Sequence, residues 1–497
     1  MDSVALWGTM FGRGAQGPNR WGRPVAQERD PPGLKSKKKP LDRGGGGWYK
    51  LCSYSLGKEG AWYMKKTYAI LICAGFLSCS GAAARTTAEA VDSAYAELWA
   101  RFVSPQGLLY DYVGELPTPK DCAECRPNAM GWWSPIENGP MFTGPFLWAM
   151  VQRARRTGRA EDREKCRRLV EGLILCADVC GTPGMICRGV GSDGRCHYPL
   201  GSCDQTVPWF FGMDAYLRGG FGDAALRERV RAKMVAVAEA LEKVDWRVPR
   251  DGKFSKGFSG DLPADPLPFR GATHYLFILR ALADATGEAK WRDAYRAARD
   301  ERYPGTKKDP KPYDETRLEV CAYGYRYDRE KSRHPFQMEP LQFWIYVCAH
   351  QALAELAVRE EDPRAARLYR EGLTKGAKWA SAFVEDYRKW DNRAERPFKY
   401  ANWRQGWKWR EQNSWEDALQ VARSPVPEVI GTRKQYERRY LTSPLAAAAI
   451  CAFDAAYRSA VERALRFYDY TTPNISEFFF AAVAYEALHA TWVRQAD

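Results

Sequence analysis

The sequence predicts an all-α protein whose paired helices close into an (α/α)6 toroid, and three observations carry that prediction. Apolar residues recur at steps of three and four, as at Leu226, Val230, Met234, Val237 and Leu241, which puts them on one face of a helix. Strand-like alternation is scarce. Loop length also alternates: short turns such as Arg156-Thr157-Gly158-Arg159 and Thr286-Gly287-Glu288 separate long segments at 104–143, 181–205, 246–269, 302–337 and 387–413, rich in Gly, Pro and aromatics. Roughly six helix hairpins with that rhythm gather their long loops at one mouth, where the inner helices begin. An open helical solenoid is the competing architecture, and no repeat of fixed period supports it.

The first 84 residues stand apart. Residues 1–63 are rich in Gly, Arg, Lys and Pro and include Lys35-Ser36-Lys37-Lys38-Lys39. Met64-Lys65-Lys66, the apolar run Thr67 to Leu77, and Ser78-Cys79-Ser80-Gly81-Ala82-Ala83-Ala84 follow. That is the charged, apolar and small-residue pattern of a secretory signal over 64–84, cleaved after Ala84. Its apolar run falls well short of the ~20 residues needed to span a bilayer. A lipid anchor on Cys79 is the alternative, disfavoured by Phe76. A signal peptide begins a chain, so translation is expected from Met64, with 1–63 a non-native or disordered extension. Residues 85–497 then form one catalytic domain, secreted or periplasmic.

Charge follows the same division. Residues 1–66 hold 13 Lys/Arg and 5 Asp/Glu, and so carry +8 of the formal +14. The mild basic excess left on the mature domain suits anionic ligands. No basic block or nucleic-acid motif is present, which argues against a nucleic-acid partner. Of 14 cysteines, eleven follow residue 84, and Cys176, Cys180, Cys187, Cys196 and Cys203 crowd together. In an exported protein such a cluster is expected to pin a loop with disulfides, and an odd total leaves one thiol over. Cys166, Cys348 and Cys451 lie in helical runs as small core residues.

The helices expected in order are 87–103, 144–157, Ala160 to Cys180, 206–218, a run from Asp223, 270–286, 288–301, 338–357, 362–386, 442–458 and 475–494. Each long loop delivers polar and aromatic residues just before an inner helix. The first carries Asp111 and then Trp132, Trp133, Glu137 and Asn138; the second Arg188, Asp193, His197, Tyr198, Asp204, Gln205 and Trp209; the third leads to Arg270 and His274; the fourth offers Arg333, His334 and Glu339. With 19 Trp, 26 Tyr and 21 Phe, the chain has aromatics enough both for a core and for stacking on flat ligand faces.

Paired helices, an exported chain and aromatic-acidic loops at inner-helix starts resemble the six-hairpin glycosidases and related polysaccharide lyases, among them the unsaturated glucuronyl and rhamnogalacturonyl hydrolases. The resemblance covers residues 86–497 as architecture and matches no diagnostic motif. It implies a glycoside hydrolase acting on acidic, polysaccharide-derived oligosaccharides. Such chemistry needs a carboxylic acid to protonate the leaving oxygen and a second carboxylate as base or nucleophile. Asp204 and Glu137 are the candidates; an N-cap role is the alternative for Asp204. Trp132, Trp133, Arg188, His197, Tyr198, Gln205, Trp209, Arg270, His274 and His334 are the substrate-binding candidates, the arginines as bidentate carboxylate partners. Trp403, Trp407 and Trp409 add further stacking surfaces. A His or Tyr base would instead make the protein a lyase, and a silent glycan-binding toroid is a third reading. No cofactor is expected. Cys122-Ala123-Glu124-Cys125 looks like half a zinc site and Cys196-His197 like a second pair, but the Cys-His-Gly pattern of lanthionine-type cyclases is unmet, since Tyr198 follows His197.

Overall fold

Two kinds of helix, distinguished by how far round the apolar surface extends, alternate along the chain. The computed structural model describes residues 85–306, 310–332, 344–394, 402–404, 409–423 and 436–490. Residues 1–84, with the expected signal, lie outside that range, as do Arg333, His334, Glu339 and Trp407. The first helices are α1 (Thr87–Arg101), α2 (Pro119–Ala123), α3 (Gly139–Thr157), α4 (Ala160–Asp178), α5 (Cys203–Gly219) and α6 (Ala224–Glu242). A two-stranded antiparallel hairpin follows, β1 (Arg247–Pro249) with β2 (Phe258–Asp261), in the register Arg247 to Asp261. Then come α7 (Pro268–Thr286), α8 (Ala289–Asp300), α9 (Arg317–Tyr323), α10 (Arg326–Glu330), α11 (Trp344–Arg359) and α12 (Pro363–Val384). The last are α13 (Trp415–Ala422), α14 (Ser443–Cys451), α15 (Arg458–Phe467) and α16 (Phe480–His489). The protein is mostly helical, as the periodicity predicts.

Helices α3, α5, α11, α14 and α16 are buried on nearly every face, and α7 on most. Such helices belong in a core. By contrast α1, α4, α6, α8, α12 and α15 each bury one stripe: in α4 it is Cys166, Leu169, Val170, Leu173 and Cys176, and in α8 Trp291, Tyr295 and Ala298. The chain therefore pairs a one-sided helix with an all-buried one. Helix α3 packs on α5, α5 on α7, α7 on α11, α11 on α14, α14 on α16, and α16 on α3. The one-sided helices lie against these six: α4 on α3 and α5, α6 on α5 and α7, α8 on α7, α12 on α11 and α14, and α15 on α14 and α16. Helix α1 packs on α15 and α16, so the first and last helices meet.

Backbone chemistry fixes both ends of this pattern. Thr86 and Glu89 close a reciprocal capping box at the start of α1, satisfying two otherwise orphaned donors. Helices α3, α5 and α7 end on Gly158, Gly220 and Gly287 in the left-handed conformation, which lets the chain reverse within two or three residues. The closest pairing, α3 on α5, depends on glycine for a different reason. A Cβ at Gly144 would lie 1.9 Å from the Pro208 carbonyl oxygen, and one at Gly212 would lie 2.9 Å from Gly144 Cα.

Several boundaries differ from the sequence reading. Helix α3 starts at Gly139, five residues before the expected 144, and carries Pro145 internally; α5 starts at Cys203 and carries Pro208. The run expected at 442–458 stops at Cys451, and α15 starts afresh at Arg458. Asp454 accounts for the break, since its side chain accepts the Ala456 N–H and starts a 3-10 turn. No described helix is long and apolar enough to cross a membrane.

Candidate functional site

The long loops bring buried charge together where the all-buried helices begin. In the first loop, both Asp111 oxygens are engaged by Asn138, from its backbone N–H and its side-chain amide at 2.7 Å each. This satisfies a donor at the start of α3 that Asn138 itself does not cap. Glu137, one residue earlier, accepts the Trp133 N–H at 3.0 Å. The turn before it closes because Asn128 Oδ1 accepts the N–H groups of Met130 and Trp132. Gly131 there has φ +68, and a Cβ would sit 2.2 Å from the Tyr198 ring; only glycine fits.

Arg188 ties this loop to the second. Its guanidinium donates to the Glu137 carbonyl at 3.0 Å and to Ser202 Oγ at 3.3 Å, and it lies 6.0 Å from the centre of the Trp132 ring. Burial lowers its pKa, opposed by the charges of Glu137, Asp204 and Asp111. Ser202 is the N-cap position of α5 and makes no side-chain cap bond. Asp204 lies inside the first turn, which corrects the N-cap alternative. One Asp204 oxygen is bound by Arg270 of α7; among the described residues the other has no hydrogen-bond partner. The same guanidinium holds Asp265 through two contacts of 3.0 and 2.8 Å. Gln205 accepts the Met141 N–H at 3.2 Å and donates to Asn138 Oδ1 at 3.4 Å.

A third arginine completes the group. Arg438 opens the π-helical turn Arg438–Thr442 before α14. Its Nε donates to Glu477 at 2.6 Å, it lies 3.7 Å from Asp111, and it stacks 5.0 Å from the Trp344 ring centre. Burial would lower its pKa, but Glu477, Glu137 and Asp111 push it upward. Five buried carboxylates, Asp111, Glu137, Asp204, Asp265 and Glu477, thus share three buried guanidiniums, Arg188, Arg270 and Arg438. Burial raises the pKa of Asp265 against the pull of Arg270. Nearby, burial pushes Asp328 up to about 7 despite bonds from the Phe269 N–H and the Tyr346 hydroxyl. Glu437, beside Arg438, is pushed up to about 7 by burial as well. The loop end therefore sets arginine-bound carboxylates beside two carboxyls, Asp328 and Glu437, whose pKa burial raises to about 7, a range in which general acid–base groups work.

The other predicted site residues divide. Trp132 and Trp133 lie in the Glu137 turn and are mostly buried. Trp209 is fully buried and donates to the Leu173 carbonyl of α4 at 2.6 Å, so its ring edge faces the outer layer. Tyr198 is likewise buried under Gly131, bonded to the Arg126 carbonyl at 2.5 Å. His274 sits on α7 one turn from Arg270; burial and Arg270 push its pKa well down, and its Nε2 has no partner among the described residues. His197 turns away from Asp204 to meet Asp251 at 2.7 Å. Burial opposes its charge, but Asp251 and Cys187 push its pKa up to about 9. Trp403 and Trp409 bond the carbonyls of Glu115 and Glu124 and brace the first loop. The eleven cysteines among the described residues are free thiols, so the expected disulfides are not formed. Cys122 lies within hydrogen-bond reach of Cys196.

Sequence reasoning missed Asp328, Glu437, Arg438 and Glu477. The only available signal for the last three was charge within apolar helix starts. A second buried group, at the short-turn end, was also missed. There Arg359 of α11 binds Asp214 of α5 and Glu355, while Trp148 of α3 donates to Glu355 at 3.0 Å. A cavity of about 480 Å³ opens at that end, lined by Arg280, Asp284, Arg296, Arg299, Glu360 and Asp362. Its charges are largely paired among themselves, Arg280 with Asp284 and Arg299 with Glu360 and Asp362. No protein-family model, curated protein or solved structure matches the chain.

Proposed function

We propose that the chain is an exported (α/α)6 toroid that hydrolyses glycosidic bonds in acidic oligosaccharides, with Asp204 and Glu137 as its paired carboxylates. The toroid is supported by the order of helix packing, α3, α5, α7, α11, α14, α16 and back to α3. The observation that carries the chemistry is the arginine-linked cluster, in which Arg188 feels Glu137, Asp204 and Asp111 at once. Arg270 binds one Asp204 oxygen and leaves the other without a hydrogen-bond partner among the described residues, which suits a base or nucleophile. Glu137 is the partner carboxyl that protonates the leaving oxygen. Arg188, whose Nε has no hydrogen-bond partner among the described residues, then attracts a uronate carboxylate by its charge, and Trp132 covers the sugar face.

A second reading has its own observation. His274 is neutral, has an Nε2 without a partner among the described residues and stands beside Arg270. A neutral base next to a cation that masks a uronate carboxylate is the arrangement β-elimination needs. The test is product analysis on acidic oligosaccharides with Asp204→Asn, Glu137→Gln and His274→Ala. Hydrolysis predicts new reducing ends without a conjugated uronate, with kcat reduced by about 10²–10⁴ in the two carboxylate variants. Conjugated product lost in His274→Ala would establish the lyase. Binding that survives in every variant, with no product from the native chain, would leave a glycan-binding protein.

A further inference from the structure

Three segments converge on one small volume beside Arg188. Cys176 lies in the last turn of α4 and Cys180 just beyond its end. Cys187 immediately precedes Arg188; its N–H donates to the Cys176 carbonyl at 3.1 Å, and its thiol lies within hydrogen-bond reach of those of Cys176 and Cys180. His197 comes from the same loop, and Asp251 from the residues just after β1. One donor atom each from Cys180, His197 and Asp251 lies within 4.8 Å of the others. Asp251 is oriented by the Gly181 N–H at 2.8 Å and the Thr182 hydroxyl at 3.0 Å.

The imidazole makes this more than a polar cluster. Its Nδ1 lies 3.4 Å from the Arg195 carbonyl and its Nε2 2.7 Å from Asp251 Oδ2. A neutral ring has a single N–H. At 2.7 Å that hydrogen is shared between Nε2 and Asp251 Oδ2, and its release leaves an imidazole nitrogen and a carboxylate oxygen side by side for a cation. Two sulfurs, one nitrogen and one carboxylate oxygen form the donor set of a closed structural zinc site. The carbonyl behind Nδ1 is the outer contact that usually fixes such a ligand.

We propose that Cys180, Cys187, His197 and Asp251 bind a structural zinc ion that clamps the second long loop and so sets the position of Arg188. The site regroups the sequence expectation, because His197 joins Cys180 and Cys187 while Cys196 turns to Cys122. Both thiols release their protons on binding, so loading is favoured as pH rises. The inference holds whatever reaction the loop end performs.

The full chain, isolated without chelator, is assayed for zinc by plasma mass spectrometry and for its ligand shell by zinc X-ray absorption. The expected result is one zinc per chain, with sulfur at about 2.3 Å and lighter donors at about 2.0–2.2 Å. Cys187→Ser and His197→Ala should each lose zinc to a chelator at least about tenfold faster, whereas Cys451→Ser, on α14, should retain it. Should the variants fail to fold, the absorption spectrum of the native chain decides alone. A chain that carries no zinc and takes up none from zinc sulfate after reduction would overturn the proposal. So would non-reducing peptide mapping that places Cys187 in a disulfide with Cys176 or Cys180.

Discussion

Replacing Arg270 with Met removes the one cation shared by Asp204 and Asp265 and leaves the apolar stem largely in place. The side chains of all three are almost wholly buried, at 2%, 6% and 3% exposure, so water cannot take over the role of the guanidinium. Breaking a buried pair from one side costs about 3–5 kcal/mol, because the abandoned charge stays desolvated. Here two carboxylates are abandoned, which puts the loss at the upper end of that range, about 5 kcal/mol. Either carboxylate escapes by taking a proton, so their folded pKa values rise above the unfolded ones. The penalty is then small in acid and grows as pH rises through the raised values. The assay is urea unfolding followed by circular dichroism at about pH 5 and about pH 8, where unperturbed carboxyls are already ionised. Arg270→Lys should fall between the two, since an ammonium keeps the charge but not the fork that spans both carboxylates. A loss below about 1 kcal/mol, or one independent of pH, would refute the claim that Arg270 carries this cluster.

Three further outcomes follow from the packing. Asp328, with its pKa pushed up to about 7 by burial, keeps its proton in the fold while the unfolded chain releases it, so its contribution to stability declines between about pH 4 and 7. Asp328→Asn should flatten that slope and stabilise the protein by about 1–3 kcal/mol at alkaline pH; an unchanged slope would point to another group. Gly144→Ala drives a methyl into the Pro208 carbonyl and should cost at least about 1–3 kcal/mol by thermal unfolding, whereas an unaltered melting point would mean that α3 and α5 can separate freely. Trp209→Leu should lower stability by about 2–4 kcal/mol through lost packing and the lost bond to Leu173, while leaving the KM for any sugar unchanged; a raised KM would return Trp209 to the binding surface.

The helices were legible because their chemistry is local. The stripe from Leu226 to Leu241 and the glycines at 158, 220 and 287 each signal an element or its end without reference to distant residues. Asp204, Glu137, Arg188 and Arg270 were singled out for the same reason, lying where a long loop enters an apolar helix. The errors were made by tertiary packing. Nothing local distinguishes Trp209, directed outward to Leu173, from an aromatic that lines a mouth. Arg438 and Glu477 were hidden because they are adjacent only after α14 and α16 pack together. His197 drew attention as a loop histidine, but its partner Asp251 lies 54 positions away. The hairpin formed by β1 and β2 escaped notice because seven strand residues carry almost no periodicity.

The central claim is that the loop end carrying Glu137, Arg188 and Asp204 breaks glycosidic bonds. It is tested most directly by incubating the native chain with a panel of acidic and neutral oligosaccharides while following reducing ends and the absorbance of conjugated uronates. The account predicts new reducing ends from acidic substrates with no rise in that absorbance, and loss of this activity in Asp204→Asn with the helical circular dichroism unchanged. No product from any sugar by a fully folded chain, or product formation that survives in Asp204→Asn, would contradict it.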